Sequence, residues 1–313
     1  MPRSFPFRAA FKRLAIFSVL LALPGLAFSQ SPLKVGIFAD ADSLPLLVCE
    51  AENLFAEESI QVQLLRFQSA VERDSAFQSG AVDGVISDIL AAILTSQAGF
   101  PVAITSLTDG RYGIALSPGS PLSTLADLKG RTIAISSNTV IHYMVELFLK
   151  EAGLKNSEMR LVPVPKMPVR LEMLLGGQVS AAGMPEPFLT TARTRGAKVL
   201  AATDDYGLGL GVLVFSKKTL ASRSGDVAAM YRAYWKAANR INASPKHYIS
   251  LLAEKLGFSR EAAEAFAFVS YKKPRLPSEA DLRSAAEWLK GKGLLKADIS
   301  ASELFDPRPI QGL

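Results

Sequence analysis

The sequence predicts an α/β protein with two similar lobes, each a mixed sheet flanked by helices. The main observation is an internal repeat, in which strand, helix, Gly-x-Val and strand follow one another twice. Gly80 and Gly177 occupy equivalent points of the two copies, 97 residues apart. Length also favours two lobes, because about 284 residues remain after an N-terminal targeting segment, more than one core usually serves. Two facing sheets of this kind define a cleft at the carboxyl ends of their strands.

The first half of the chain alternates strands with helices. Apolar residues alternate from Leu33 into the acidic, hydroxyl-bearing loop that ends at Ser43, and from Leu44 onward they recur at helical spacing. The polar residues 108–111 separate two apolar strands, and we interpret them as the first crossing between the lobes. The strands predicted here span residues 33–38, 60–67, 85–88, 102–107 and 112–116, and the helix of the first repeat spans 71–79.

The second half repeats this order and then adds helices. A strand at residues 132–135 leads into a helix, and an apolar strand near 210–215 marks the return crossing. The second copy of the repeat comprises a strand at 159–164, a helix at 169–175 and a strand from 182 to 186. Amphipathic helices are predicted at 227–241, 245–256, 260–268 and 278–289. Two crossings return the chain to the first lobe, so we expect these helices to pack there.

These elements divide the chain into a targeting segment at residues 1–29, the first part of lobe one at 30–110, lobe two at 111–211, and a return to lobe one at 212–313. The first segment has the pattern of a secretory signal peptide, with basic residues, an apolar run and small residues before a cleavage point ahead of Gln30. Its apolar run is shorter than the roughly 20 residues that span a bilayer, which disfavours an uncleaved anchor. We therefore expect a periplasmic protein.

Composition excludes several classes of function. The whole chain has 35 basic and 29 acidic side chains, but four basic and no acidic ones fall in residues 1–29, so 31 and 29 remain. This near-neutral mature chain, with scattered Lys and Arg, predicts no nucleic-acid partner. The single cysteine, Cys49, excludes an intrachain disulfide and lies in an apolar helix, where a small buried residue is expected. Neither a metal-ligand spacing nor a phosphate-binding glycine loop occurs, so we expect no metal and no cofactor.

Three segments resemble a known family. Residues 49–62 are similar to a family stretch that runs from a helix through Phe to Gly-Leu-x-Val, and residues 125–134 to Asp-Leu-Lys-Gly-Lys-x-Ile. Residues 177–188 resemble Gly-x-Val-Asp-Ala-x-x-x-x-Glu-Pro-Phe. The family is that of the substrate-binding proteins of nitrate, sulfonate and taurine importers and of the related thiamine-pyrimidine importers. The chain departs from the pattern at Asn53 and Ser59, where Gly is usual, at Ser180, where Asp is usual, and near Met184, where many members have an aromatic residue.

The resemblance implies a type II periplasmic binding fold. It further implies a monomeric receptor of an ABC importer, which captures a small polar molecule by hinge closure about residues 108–111 and 209–213 and delivers it to a membrane permease. Binding, not catalysis, is expected. Two alternatives stay open: a ligand-presenting partner of a membrane sensor, and an exported enzyme on the same fold, such as those of the thiamine-pyrimidine or menaquinone pathways.

One candidate site is the start of the helix that follows residues 132–135. Free N–H groups and hydroxyls of Ser137, Asn138 and Thr139 could hold an anion or a polar oxygen. The alternative is that Asn138 or Thr139 only caps its own helix. His142, one turn further, could reach the ligand or simply lie on the helix face.

The second candidate set is acidic. Asp40, Asp42, Asp88 and Glu186 all fall at or just after predicted strand ends, and Arg111 is the one cation expected near a cleft-facing loop. Carboxylates favour cations and N–H donors, so such a pocket suits a heteroaromatic or amine better than a sulfonate- or nitrate-like ligand. The alternative is that the aspartates cap helices and Glu186 faces solvent. The remaining residues expected to line the site are Ser43, Gln68, Ser69, Ser87, Met184 and Tyr206.

Overall fold

Two five-stranded sheets organise the chain from Pro32 to Leu313. The computed structural model describes residues 1–3 and 31–313, so residues 4–29 of the predicted signal peptide and the cleavage point before Gln30 lie outside the described residues. The strands are β1 (Leu33–Ile37), β2 (Val62–Arg66), β3 (Gly84–Asp88), β4 (Val102–Leu107), β5 (Tyr112–Leu116), β6 (Thr132–Ile135), β7 (Arg160–Pro163), β8 (Ala181–Pro185), β9 (Lys198–Ala202) and β10 (Gly211–Ser216).

Helices connect the strands and cover both sheets. They are α1 (Leu44–Ala51), α2 (Leu54–Glu57), α3 (Ala70–Gln78), α4 (Ile89–Gln97), α5 (Val140–Glu151), α6 (Met167–Leu175), α7 (Phe188–Thr194), α8 (Lys217–Ser222), α9 (Ser224–Ala243), α10 (Ile249–Leu256), α11 (Arg260–Ala265), α12 (Glu279–Gly291) and α13 (Ala301–Leu304). The predicted α/β alternation is confirmed, whereas the short strand β9, which lacks an alternating pattern, was not predicted.

The two sheets share one topology. Their strand orders are β2-β1-β3-β10-β4 and β7-β6-β8-β5-β9. In each sheet three strands run parallel, and the fourth, β10 or β5, runs antiparallel to both of its neighbours. That antiparallel strand is the one the chain enters after leaving the other sheet. The prediction of two mixed sheets is therefore confirmed, and we call each sheet with its helices lobe one and lobe two.

The predicted internal repeat is confirmed in the structure. Helices α3 and α6 begin 97 residues apart, at Ala70 and Met167, and strands β3 and β8 begin 97 residues apart, at Gly84 and Ala181. The same elements therefore occupy the same sheet positions in the two lobes.

The C-terminal helices do not all pack on lobe one. Helix α9 contacts α1 and α2, and α12 contacts α4, as expected for a return to the first lobe. Helix α11 instead contacts α7 of lobe two. In the loop before α11, Phe258 meets Phe188 of α7 edge to face, with ring centroids 5.3 Å apart. An aromatic contact of this kind explains why this part of the chain lies against lobe two.

The departures from glycine at Asn53 and Ser59 coincide with unusual backbone angles. Their φ values are +56° and +58°, in the left-handed region. Glycine reaches this region without a side-chain penalty, whereas other residues adopt it at a cost. At these two positions, where the sequence pattern leads us to expect glycine, Asn and Ser adopt a backbone conformation that glycine favours.

Candidate functional site

A cavity of about 50 Å³ lies between the carboxyl ends of β1, β3 and β6, and both lobes line it. Its charged residues are Asp40, Arg73 and Asp88 from lobe one and Arg170 from lobe two. Its other polar side chains belong to Ser87, Tyr112, Ser136 and Thr139. Apolar residues form the rest of the wall: Phe38, Ala70, Ile86, Val140, Ile141, Pro165, Met167 and Pro185.

Arg170 is a buried cation that pairs with no carboxylate of the described residues. Its side chain, only 1% exposed, donates to three backbone carbonyls: Nε to Val164 O at 2.9 Å, Nη1 to Gly183 O at 2.7 Å and Nη2 to Pro165 O at 3.2 Å. Burial alone lowers the pKa of Arg170 to about 9, so the group stays charged at neutral pH. A guanidinium has five N–H donors, so two remain for a ligand.

Arg73 occupies the equivalent position in lobe one. It is also 1% exposed, and its Nη1 donates to Ile86 O at 3.4 Å. Unlike Arg170 it has a carboxylate next to it, since Nε donates to Asp74 Oδ1 at 2.8 Å. Nη2 lies 2.8 Å from the same oxygen, yet at an angle that makes no hydrogen bond. Burial opposes the charge of Arg73, but Asp74 and Asp88 outweigh it and raise the pKa.

Asp40 follows β1 and faces the same cavity. Its Oδ1 accepts from Ser43 N at 3.1 Å and from Ser43 Oγ at 2.8 Å, and Ser43 Oγ in turn accepts from Phe38 N. Among the described residues no donor reaches Oδ2. Burial raises the pKa of Asp40 well above its usual range, and the nearby Asp42 raises it further.

Asp88 ends β3 and caps α4. Its Oδ1 accepts from Ala91 N at 2.8 Å, as the capping interpretation expected. The residue also lines the cavity, so capping and a place in the site are compatible. Burial raises the pKa of Asp88, while Arg73 acts in the opposite direction.

The residues of the loop before α5 face two different places, the cavity and a groove on the surface. Thr139 caps α5, accepting from Ile141 N at 3.2 Å, and also lines the cavity. Ser137 and Asn138 line a neighbouring surface groove instead. Asn138 has a left-handed φ of +59°, and its N–H donates to His142 Nδ1 at 3.1 Å.

Asp42 and Glu186 lie outside the cavity, at the crossing between the lobes. Asp42 accepts from Thr108 Oγ1, from Gly110 N at 3.0 Å and from Tyr112 Oη at 2.8 Å, so it holds the first crossing segment. Glu186 does not face solvent. It is 2% exposed, pairs with Arg111 at 3.0 Å and accepts from Thr190 N.

Other predicted site residues have structural contacts. Ser69 caps α3, the carbonyl of Gln68 accepts from Met167 N of lobe two at 3.1 Å, and Met184 is buried in β8. Tyr206 stacks on Phe148, with ring centroids 4.0 Å apart. Of the thirteen residues predicted to line a site, those on the wall of this cavity are Asp40, Ser87, Asp88 and Thr139.

The sequence reasoning missed both buried arginines. It considered Arg111 alone as a cation near the cleft, since Arg73 and Arg170 lie within helices and not after strand ends. The signal was nevertheless present in the repeat. Arg73 and Arg170 are 97 residues apart, like Gly80 and Gly177, so the duplication places both at the same edge of their sheets.

Comparison with known proteins identifies the family. The family model described as "NMT1/THI5 like" matches residues 40–248, about two thirds of the chain. The chain belongs to the NMT1/THI5-like family. A relative within the curated proteins is the taurine-binding periplasmic protein of Escherichia coli K12, 26% identical over 193 residues, which are 61% of this chain and 59% of that protein. The alignment thus spans less than two thirds of that relative.

Solved structures share the fold of this NMT1/THI5-like protein. The alkanesulfonate-binding protein SsuA from Xanthomonas axonopodis pv. citri, bound to MOPS, matches with a TM-score of 0.75 and 18% identity over 89% of this chain and 99% of that one. The desulfurization enzyme DSZB matches with a TM-score of 0.65 and 17% identity over 88% and 97% of the two chains. The chain therefore has the two-lobed fold of periplasmic binding proteins, which also occurs in an enzyme.

No helix within residues 31–313 has both the length and the apolar character needed to cross a membrane. In the same part of the chain, no group of three or more His, Cys, Asp or Glu side chains is arranged to hold a metal ion.

Proposed function

We propose that this protein is the solute receptor of an ABC-type importer and captures a small solute with an anionic group between its lobes. The observation that carries the proposal is the buried Arg170 on the wall of a cavity that both lobes line. A buried cation without a carboxylate partner is costly, and an anionic ligand offsets that cost. Membership of the NMT1/THI5-like family and the taurine- and alkanesulfonate-binding relatives support the same class of ligand.

The size of the cavity limits the ligand. About 10–15 Å³ of such space holds one water molecule, so about 50 Å³ accommodates on the order of four waters or a ligand with a handful of non-hydrogen atoms. This room favours a small oxyanion over a pyrimidine or a flavin. The apolar wall of the cavity suits a short carbon chain next to the anionic group.

Direct contacts between the two lobes support capture by lobe closure. Ala41 N donates to Glu186 O at 2.9 Å, and Lys166 of lobe two pairs with Glu72 of lobe one at 3.3 Å. We infer that the lobes separate about residues 108–111 and 209–213 to admit the ligand and then close over it. Export to the periplasm with cleavage before Gln30, a monomeric state and delivery to a membrane permease belong to this proposal.

The test is thermal unfolding of the mature protein from Gln30 with small sulfonates, carboxylates, phosphonates and nitrate. A ligand at about 100 times its dissociation constant contributes roughly 2.7 kcal/mol, a clear shift in melting temperature. The shift should disappear in Arg170→Gln and persist in Arg160→Gln, which changes an exposed arginine of the same lobe. No shift with any anion, or an equal shift in both variants, would contradict the proposal.

A second measurement separates binding from turnover. Bound ligand released by denaturation should be chemically unchanged by mass spectrometry after long incubation, because a receptor forms and breaks no covalent bond. Recovery of a converted product would move the protein to the enzymes that share this fold.

A further inference from the structure

We propose that Asp42, which lies outside the cavity, is a positioning residue for ligand capture, because its bond to Tyr112 couples the cavity to the hinge. The ring of Tyr112 lines the cavity, and its hydroxyl donates to Asp42 Oδ2 at 2.8 Å. The bond is made when the lobes are closed and breaks when they separate. This inference rests on the proposed receptor function and names the contact that biases its open and closed states.

Bonds within lobe one hold the first crossing as far as Asp109. Thr108 N donates to the carbonyl of Gly211 at 2.9 Å, and Gly211 begins β10, which pairs with β3 and β4. Arg275, whose carbonyl accepts from Leu107 N of β4, donates from Nη2 to Asp109 Oδ1 at 2.8 Å. Both residues of the crossing therefore move with lobe one.

Bonds within lobe two hold the crossing from Arg111 onward. The carbonyl of Arg111 accepts from Glu186 N at 2.8 Å, and Tyr112 N donates to Thr203 Oγ1 at 3.2 Å. Tyr112 also begins β5, which pairs with β8 and β9. The change of backbone angles that separates the lobes therefore falls at or beside Gly110, where the backbone is least restricted.

Asp42 bonds to both sides of this pivot from its place in lobe one. Its Oδ1 accepts from Thr108 Oγ1 and from Gly110 N at 3.0 Å, whereas its Oδ2 accepts from the Tyr112 hydroxyl. A Cβ at Gly110 would overlap the Asp42 carboxylate, so the pivot packs directly on this side chain. Rotation of lobe two about Gly110 carries Tyr112 away from Asp42 and leaves Thr108 in place. Of these three bonds, the one from Tyr112 depends on closure.

A bond made only in the closed arrangement shifts the equilibrium between open and closed states toward closure. Asp42 is buried, so water does not compete for its oxygens. One hydrogen bond to a carboxylate should favour closure about tenfold. A ligand against the ring of Tyr112 keeps the hydroxyl directed at Asp42, so the ligand and the carboxylate hold the same side chain.

The competing explanation is that the Tyr112 hydroxyl binds the ligand itself. The hydroxyl would then turn from Asp42 to the ligand, and its removal would weaken binding without changing how often the ligand-free lobes open. Under this explanation Asp42, which does not line the cavity, has no influence on affinity.

The first variant is Tyr112→Phe, which keeps the ring on the cavity wall and removes the hydroxyl. Calorimetric titration of the mature protein with propane-1-sulfonate and nitrate measures affinity. Apparent affinity is proportional to the fraction of protein that is competent to bind, so a protein that is mostly open without ligand should lose affinity about tenfold.

A protein that is mostly closed without ligand should show the change in amide hydrogen exchange instead. Two backbone bonds join the lobes, from Ala41 N to Glu186 O and from Met167 N to Gln68 O. Exchange at these two amides follows opening of the lobes, so Tyr112→Phe should lower their protection about tenfold.

Amides bonded within one lobe are the internal reference for this measurement. Leu33 N donates to Gln61 O in lobe one, and Val164 N donates to Ile135 O in lobe two. Their protection should be the same in wild type and in Tyr112→Phe, whereas general destabilisation would lower it as well.

Tyr231→Phe is the matched control variant. The Tyr231 hydroxyl lies 2.6 Å from Thr105 Oγ1, both residues are buried, and both belong to lobe one. This variant should lower the melting temperature, but it should leave anion affinity and exchange at the amides between the lobes unchanged.

Variants of Asp42 separate the two explanations. Asp42→Ala should match the loss in Tyr112→Phe and add nothing to it in the double variant, because both remove one bond. Asp42→Asn keeps an oxygen for Thr108 and Gly110 and offers Tyr112 a neutral N–H donor, so it should fold and lose only about threefold. Direct binding of the ligand by the hydroxyl predicts no loss in either variant.

The outcomes also distinguish this inference from the proposed function. Wild-type affinity together with wild-type exchange in Tyr112→Phe, or wild-type behaviour of both Asp42 variants, would overturn the coupling and leave the anion receptor in place. If no anion bound the wild-type protein, the proposed function would fail. Lower protection of the amides between the lobes in Tyr112→Phe would then still support the coupling, and equal protection would overturn it too.

Discussion

The two lobes use the same arginine in different electrostatic surroundings. Arg73 and Arg170 are the fourth residues of α3 and α6, and each donates through Nη1 to the carbonyl of the third residue of the next strand, Ile86 or Gly183. The residue after Arg73 is Asp74, a carboxylate, whereas the residue after Arg170 is apolar. Duplication thus preserved the position of the guanidinium, and one neighbouring residue decides whether its charge is neutralised inside the protein or left for a ligand.

The largest effect is expected from removing the unbalanced arginine. Arg170→Met removes three hydrogen bonds to backbone carbonyls, which should cost about 2–4 kcal/mol of unfolding free energy, and should lower anion affinity at least about 100-fold. Arg73→Met should lower anion affinity only about tenfold, because Asp74 and Asp88 already offset this charge. Urea unfolding and calorimetric titration measure the two effects. Equal losses of affinity in the two variants would contradict the difference between the lobes.

A second contrast concerns α1 and α5, the helices that follow the equivalent strands β1 and β6. Cys49 of α1 and Glu146 of α5 are 97 residues apart, and both are buried. Burial raises the pKa of the Cys49 thiol well above its ordinary value, so the group is neutral. Glu146 accepts from Trp288 Nε1 at 2.9 Å and from Lys292, both on the C-terminal side of the chain. The neutral Cys49 thiol of lobe one thus occupies the position of a hydrogen-bonded carboxylate, Glu146, in lobe two.

Glu146→Gln should reduce the unfolding free energy by about 1–2 kcal/mol at pH 7, because a charged hydrogen-bond network is lost. Burial opposes the charge of Glu146, but hydrogen bonds from His142, Lys292 and Trp288 outweigh it and lower the pKa to about 2. A carboxyl whose pKa is lower in the folded protein stabilises it above its ordinary value of 4.5 and loses that contribution as the pH falls toward 2.

Urea titrations of wild type and Glu146→Gln between pH 7 and pH 2.5 measure this dependence. The difference between the two proteins should shrink steadily below pH 4.5. The exposed Glu151 of the same helix provides the control, since Glu151→Gln should track wild type throughout. A difference that stays constant down to pH 2.5 would show that packing, not ionisation, is responsible.

A third prediction makes lobe one resemble lobe two. Asp74→Asn removes the carboxylate beside Arg73 at a partly exposed position, so the fold should be preserved. The freed guanidinium should raise the affinity for a simple anion about five- to tenfold, roughly 1 kcal/mol. Titration with propane-1-sulfonate or nitrate measures the change. Unchanged or weaker binding would mean that Arg73 serves only to hold the Ile86 carbonyl.

The smallest effect is expected at the ends of α1 and α5. Both helices are followed by a left-handed residue, Asn53 in lobe one and Gly153 in lobe two, with φ values of +56° and +87°. Asn53→Gly should stabilise the protein by about 0.5 kcal/mol, and Gly153→Asn should destabilise it by about 0.5–1 kcal/mol. Thermal unfolding of the two variants and of their combination tests this, since two distant sites should add. Stabilisation by Gly153→Asn would contradict it.

The fold could be predicted largely from the sequence because each repeat contains a complete hydrophobic pattern. Strands β4, β5 and β6 coincide with the predicted residues, and the polar break at 108–111 marks the first crossing. Strand β9 was missed because a five-residue run of Lys, Val, Leu and Ala carries neither an alternation nor a turn signal of its own. The contact of α11 with lobe two was also missed, since it depends on which aromatic side chains meet in space.

The site was less predictable, and the reason is physical. The positions of strand ends correctly predicted that Asp40, Ser87 and Asp88 line the cavity. They also predicted Asp42 and Glu186, which lie outside it. Whether a carboxylate at a strand end faces a ligand or holds a crossing segment depends on partners distant in sequence, such as Thr108 for Asp42 and Arg111 for Glu186. Arg73 and Arg170 were missed because they lie in helices, away from any strand end in sequence. Only the fold brings their side chains to the cavity.

The hydrogen bond from Trp288 to Glu146 makes tryptophan fluorescence a reporter of whether the lobes are open or closed. Trp288 belongs to α12, which packs on α4 of lobe one, while Glu146 belongs to α5 of lobe two. The other tryptophan, Trp235, lies on α9 beside the core of lobe one. Separation of the lobes would expose one indole to water and leave the other in place. The emission spectrum of the unlabelled protein would then follow each opening and closing event in a stopped-flow instrument.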